Sequence, residues 1–199
     1  MSEISDRRVF VVSGPSGVGK TTIIKRILET NPDIELSVSA TTRQPRDGEV
    51  DGLDYFFIDR SVFERKLQEK KFLEWATIYG NYYGTMFGHV MNILHSGTNA
   101  LLDVDSQGAM QIKKITRGAL FVLIAPPSLE SLANRLRSRG SESEESFAMR
   151  MARAQHELSF REEYDRVVVN DDMEVAIAEL QGIIDVARKE PVQFIYETA

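Results

Sequence analysis

The chain has 199 residues, 42% hydrophobic and 27% charged, which suits one soluble unit with a sizeable core. Its formal net charge of -6 and pI of about 5.2 argue against a nucleic-acid surface, although a few focused cations suffice for a small basic pocket. With no cysteine, disulfides, thiolate catalysis and cysteine-based zinc sites are excluded; the first apolar run, Val9 to Val12, is too short for a signal peptide or a membrane span. A cytoplasmic protein with no nucleic-acid or membrane partner is the expectation.

Taken in chain order, Val9 to Val12 reads as a fully buried parallel strand and Gly14 to Gly19 as a tight turn. A helix from Lys20 stops before Pro32, with Ile23, Ile24, Ile27 and Leu28 in one apolar stripe. From Leu36 to about Tyr83 the texture changes to alternation, prolines, glycines and many aromatics, which predicts an inserted β-rich subdomain. Within it, Ser61 with Glu64 reads as a capping box for a helix through Lys70. Three further central strands are expected at Ala100–Val104, Leu120–Ile124 and Val167–Val169. Helices are expected near 107–115, 128–137, 144–163 and 174–187. Residues 135–153 are dense in charge and serine, yet Phe147, Met151, Ala154 and Leu158 keep a helical stripe, which predicts a helical lid. Strands alternating with helices imply an α/β fold: a parallel sheet flanked by helices. The expectation is a single domain over 1–199, with core 1–35, 89–134 and 154–199, insertion 36–88 and lid 135–153.

Gly14-Pro15-Ser16-Gly17-Val18-Gly19-Lys20-Thr21 satisfies G-x-x-x-x-G-K-[ST], after a strand and at the start of a helix. Glycines let successive N–H groups turn inward onto phosphate oxygens, and the helix N-terminus adds partial positive charge. Lys20 then serves the β- and γ-phosphates and the Thr21 hydroxyl serves Mg²⁺, so the fold is expected to be of the P-loop NTPase type. The motif points to a nucleoside triphosphate and leaves the phosphate acceptor open.

The acceptor must be read from the insertion. Arg43 and Arg46 lie three apart around Pro45, a rigid arrangement of two guanidinium forks that suits a phosphate monoester, with Tyr55 and Tyr83 as hydroxyl donors. Taken alone, two solvated loop arginines are the simpler reading. The wider pattern resembles the guanylate kinase family: T-T-R-x-P-R-x-G-E-V-x-G-x-x-Y-F-F from Thr41, F-L-E-W-A from Phe72, G-N-Y-Y-G-T from Gly80, L-D-V-D-x-Q-G from Leu102 and V-N-D-D from Val169, in the family's order. The likeness runs from Val9 to about Ala187. It departs from the family at Met86-Phe87-Gly88-His89, where a polar, charged helix start is usual, and this puts the local helix start in question.

The resemblance implies an ATP:GMP phosphotransferase of purine nucleotide metabolism, working with Mg²⁺ as MgATP. Arg43, Arg46, Tyr55 and Tyr83 would grip the GMP phosphate, and Glu49 belongs to the same GMP-binding set. Ser39, Glu74 and Thr85 would contact the guanine together with Asp105. Asp103 and Asp105, two apart at a strand end, would both face the site, and Asp103 with Thr21 would serve the magnesium. Lys20, Arg43 and the lid residues Arg139 and Arg150 form the expected catalytic set, while Arg135 and Asn170 join Gly14 to Thr21 around ATP. Arg153 is a weaker lid candidate. His89, His95 and His156 lack metal-ligand spacing, and Trp75 and the seven methionines read as packing. No general base is required, because the GMP phosphate is already an anionic nucleophile. Monomer and homodimer both remain open. The competing readings are a kinase for another nucleoside monophosphate, which Glu74 disfavours, and a non-catalytic protein-binding module of the same fold, which the complete phosphate loop disfavours.

Overall fold

A computed structural model describes residues 7–138, 143–188 and 193–194. Five parallel strands form the central sheet in the order β10-β9-β1-β7-β2. They are β1 (Val9–Ser13), β2 (Ile34–Leu36), β7 (Asn99–Asp103), β9 (Leu120–Ala125) and β10 (Arg166–Val169). Strands β1 and β9 are buried along their whole length, so their near-continuous apolar composition follows from helices covering both faces. Alternation along β1 sends Phe10 and Val12 into one core and Val9 and Val11 into the other. The first core is closed by α1 (Lys20–Thr30) and α7 (Met173–Ala187) through Ile23, Ile27, Leu180 and Ile184. The second is closed by α3 (Phe87–His95) and α4 (Ser106–Ile115) through Val90, Ile93, Ala109 and Ile112.

The insertion is a second sheet in the order β4-β3-β6-β5, made of β3 (Ala40–Thr41), β4 (Phe56–Phe57), β5 (Phe72–Ile78) and β6 (Asn81–Met86), with α2 (Arg60–Gln68) packed on it. Its own core is small: Ala40, Phe63 and Phe72 are its buried members, and Phe63 stacks between Phe72 and Tyr82 at centroid distances of 4.3 and 5.1 Å. Strand β5 serves two cores, since Phe72 points into this cluster and Leu73 into the second main core. Helices α5 (Leu129–Ser138) and α6 (Glu144–Ser159) meet through Leu132, Leu136 and Ala154, with Phe147 and Met151 against them. A short antiparallel pair, β8 (Thr116–Arg117) with β11 (Gln193–Phe194), lies apart from both sheets.

Several expectations need correction. The edge strand β2 lies in the central sheet, paired with β7, although its three residues carry no strand pattern of their own. Ser61 is inside α2 rather than at its cap, and Asp59 occupies the N-cap position. Glu64 is engaged by Arg60 at 3.0 Å and by the Tyr82 hydroxyl at 3.4 Å, so no capping box forms. Helix α6 ends at Ser159, and a single 3₁₀ turn at Arg161–Glu163 replaces the expected continuation. The unusual segment at Met86 starts α3 without difficulty: Phe87 donates its N–H to the Lys71 carbonyl at 2.9 Å. Trp75 is 41% exposed rather than packed inside, because β5 turns Glu74 inward and its neighbour outward. Among the described residues no helix is long and apolar enough to cross a membrane.

Candidate active site

One cleft of about 490 Å³ joins the C-terminal edge of the central sheet to the inserted sheet. Parallel α/β sheets place ligands there because the strand ends and helix N-termini converge. At one end is the glycine loop between β1 and α1. Gly14 needs its missing side chain, since a Cβ would lie 2.4 Å from the Ile124 carbonyl oxygen. Gly19 holds a left-handed φ of 96° as the N-cap of α1 and offers that helix no side-chain cap, and Lys20, Thr21 and Thr22 of its first turn line the cleft. Gly14, Pro15, Ser16, Gly17, Gly19, Lys20 and Thr21 all line the space. Val18 does not: it is fully buried, its N–H donates to the Pro15 carbonyl at 3.2 Å, and its carbonyl accepts from Asn170 Nδ2 at 2.7 Å.

Lys20 reaches across to Asp103 at the end of β7, forming an ion pair, and donates to the Val104 carbonyl at 3.3 Å. Burial opposes its charge, but Asp103, helped by Glu157 and Asp105, outweighs burial and holds the ammonium above its usual range. Asp103 therefore holds the lysine at the wall of the cleft. Asp105 corrects an expectation. It lies beyond the strand as the N-cap of α4, accepting from the Gly108 N–H at 2.8 Å. Both carboxylates nevertheless line the cleft.

At the other end Glu74 is the deepest carboxylate, only 5% exposed. A register shift between Phe72 and Glu74 sets it opposite Thr85 of β6, whose hydroxyl donates to Oε1 at 2.7 Å. Burial, and then the charge of Asp105, push Glu74 up to about 7, against the Thr85 hydrogen bond. Thr85 is buried behind Glu74 and holds it, while Ser39, Tyr55, Tyr83 and Arg46 line the cleft beside it. The rings of Tyr55 and Tyr83 meet edge to face at 6.0 Å. Arg43 is outside the lining. Its guanidinium forks onto Glu49 at 2.8 and 2.9 Å and donates to the Gln44 carbonyl, while Glu49 also accepts from the Arg46 N–H at 2.7 Å. Glu49 thus fixes the arginine loop rather than facing the open space.

Helix α6 supplies Arg150, Arg153 and Glu157 to the cleft. Arg153 bridges Asp105 at 2.9 Å and Glu157 at 2.8 Å, joining α6 to the start of α4. Arg135 lies outside the lining and donates to the Asn170 carbonyl at 2.8 Å, and Asn170 itself is buried as a brace for the loop. Arg139 lies outside the described residues. Glu157, Tyr79 and Thr22 line the cleft without having been anticipated. For Glu157 the available signal was its i+4 spacing from Arg153.

A strand-to-helix glycine loop closing on Lys20 and Thr21 beneath a parallel sheet defines a P-loop nucleotide-binding protein of the NTPase fold type. Comparison with known proteins narrows that class. The family described as Guanylate kinase matches residues 6–187. A guanylate kinase from Caldanaerobacter subterraneus subsp. tengcongensis is 46% identical over 176 residues, covering 88% of this chain and 85% of that protein. One from Carboxydothermus hydrogenoformans is 44% identical over 188 residues, covering 94% and 92%. The crystal structure of guanylate kinase from Anaplasma phagocytophilum superposes with a TM-score of 0.76 at 33% identity, covering 92% of this chain and 87% of that one. The chain belongs to the guanylate kinase family.

Proposed function

We propose that the chain transfers the γ-phosphate of ATP to GMP, giving ADP and GDP. The observation that carries this reading is the buried Glu74–Thr85 pair at the far end of the same cleft that the glycine loop opens. Guanine presents N1–H and the exocyclic N2–H₂ side by side, and one carboxylate accepts both. Ser39 and Asp105 complete the base pocket. Arg43, Arg46, Tyr55 and Tyr83 receive the GMP phosphate, with Glu49 keeping the two arginines in register.

At the ATP end, the loop N–H groups and the α1 N-terminus receive the β- and γ-phosphates, and Lys20 leaves Asp103 for them. Thr21 and Asp103 line one cleft, and no cluster of three or more His, Asp or Glu residues fit for a metal occurs among the described residues. That sparse oxygen donor set fits a magnesium ion carried in by ATP and still largely hydrated. When bound, Mg²⁺ would neutralise phosphate charge, with Thr21 as ligand and Asp103 holding its water shell.

The acceptor phosphate is already an anion, so the chain has no proton to remove. Its work is to align two phosphates and offset their repulsion. Lys20 and Arg150, with Arg139, act on the transferring group, while Arg43 and Arg46 hold the acceptor. Arg135 and Asn170 border the ATP end, and closure of α5 and α6 over the cleft keeps water from the γ-phosphate. A coupled assay of ADP release with GMP, AMP, UMP and dTMP tests the reading. Turnover is expected with GMP alone; equal rates with AMP or a pyrimidine nucleotide would overturn it.

A further inference from the structure

The carboxylate of Glu74 is held from two sides. Thr85 donates to Oε1, and the opposite face lies against the backbone of Gly108, the third residue of α4. A Cβ built on Gly108 would lie 2.5 Å from Glu74 Oε2, 3.0 Å from Cδ and 3.3 Å from Cγ. Carbon and oxygen do not approach that closely without a bond, so the position accepts no side chain while Glu74 keeps its place. Gly108 has ordinary right-handed helical backbone, so no turn requires a glycine here. In a helix, glycine is about 1 kcal/mol poorer than alanine, and the local structure alone gives no reason for it.

One turn further along the same face of α4, Gln111 reads the edge of β5. Its Nε2 donates to the Trp75 carbonyl at 2.8 Å, and the Trp75 N–H donates to its Oε1 at 3.2 Å. The side-chain amide completes the backbone pairing that the edge strand lacks, one residue after Glu74.

We infer that Gly108 and Gln111 are positioning residues for base recognition: the bare α-carbon of Gly108 sets the depth of the Glu74 carboxylate, and Gln111 fixes the strand that carries it. The inference rests on Glu74 as the reader of guanine. A bidentate carboxylate must present both oxygens to adjacent donors, and a displacement of about 1 Å at such a site costs on the order of 100-fold. Neither residue is itself part of the cleft lining: Gly108 bears on it through Glu74 and Asp105, and Gln111 through the strand that carries Glu74.

Steady-state kinetics of wild type, Gly108→Ala, Glu74→Asp and the double variant test this. Gly108→Ala is expected to raise the GMP KM by ~10-fold or more while the ATP KM stays within about 2-fold, because only the acceptor end is displaced. Glu74→Asp alone shortens the reach and raises the GMP KM. In the Gly108→Ala background the shorter side chain clears the new methyl, so the same change lowers that KM. Gln111→Leu, which keeps volume and helix propensity, is expected to raise the GMP KM by roughly 3- to 10-fold with the ATP KM unchanged. A GMP KM within about 2-fold of wild type for both Gly108→Ala and Gln111→Leu overturns the inference. So does an aspartate effect of equal size in both backgrounds. Should Gly108→Ala not fold, Gln111→Leu decides alone. Glu74→Gln separates the two levels: if it leaves the GMP-to-AMP preference unchanged, base reading by Glu74 itself falls. If it abolishes that preference while Gly108→Ala and Gln111→Leu are both silent, only the positioning role falls.

Discussion

The two ends of the cleft are built on different principles. The glycine loop is held by backbone and by the main core: Val18 is buried, Asn170 pins its carbonyl, and Gly14 lies against the Ile124 carbonyl. The acceptor end is held by side chains on a small sheet whose own core has three buried members. Arg43 is forked onto Glu49, and the buried Glu74 is wedged against α4. A triphosphate tail is common to all nucleoside triphosphates and can be met by a fixed backbone. A particular base and a particular phosphate need side chains, and side chains on a lightly packed sheet can move with their ligand.

The largest expected effect comes from the rigid end. Lys20→Ala removes the cation that meets the transferring charge and leaves Asp103 facing the phosphates unpaired. A fall in kcat of ~10³-fold or more is expected, with the melting temperature little changed, since the lysine lines an open cleft and its loss makes no core cavity. Near-normal turnover in the folded variant would remove Lys20 from the mechanism.

A smaller effect, confined to one substrate, is expected from the adjustable end. In Glu74→Gln the amide keeps an acceptor for Thr85 but offers guanine one acceptor where two donors must be met. The kcat/KM for GMP should fall ~100-fold, the preference over AMP should narrow, and the ATP KM should stay put. If both substrates weaken together, the two ends are not independent and the contrast drawn above is wrong.

The same contrast separates what could be read from the sequence from what could not. The glycine loop was legible because its chemistry is local: Gly14 to Thr21, the strand before it and the helix after it are contiguous. Strands β1, β7 and β9 were legible from apolar runs that a sheet covered on both faces requires, whereas β10, expected as a central strand from Val167 to Val169, is an edge strand with Arg166 and Val169 exposed. The acceptor end depends on register between distant strands. Nothing local to Phe72-Leu73-Glu74 announces the shift that sets Glu74 opposite Thr85. Asp105 could be picked out as a site residue, but its work as a helix cap and its bridge to Arg153 depend on how α4 and α6 meet. The same holds for Asn170, whose side-chain amide reaches across the fold to the Val18 carbonyl. Strand β2 was invisible for another reason: Ile34-Glu35-Leu36 is too short to show a period, and its place is fixed by pairing with β7.

The smallest predicted effect is thermodynamic and turns on the titration of Glu74. Burial, and next the charge of Asp105, push its carboxyl up to about 7 from an ordinary 4.5. Because the folded value lies above the unfolded one, the native state binds more protons than the unfolded chain between pH 4.5 and about 7. Stability contributed by this group is therefore greatest below that window and is lost as pH rises through it. Full ionisation costs roughly 1–3 kcal/mol at pH 8, the upper end following from the size of the shift. Glutamine carries no charge and escapes that cost while still accepting from Thr85. Without nucleotide, Glu74→Gln should therefore match wild type at pH 5 and melt several degrees higher at pH 8. Guanine's two donors favour the carboxylate, so GMP should oppose the shift, and the wild-type GMP KM should rise as pH falls through about 7. Melting curves at the two pH values, with and without GMP, measure both effects. A gap between variant and wild type that is the same at pH 5 and pH 8 would show that Glu74 is not a strained charge, and that this end of the cleft is as settled as the other.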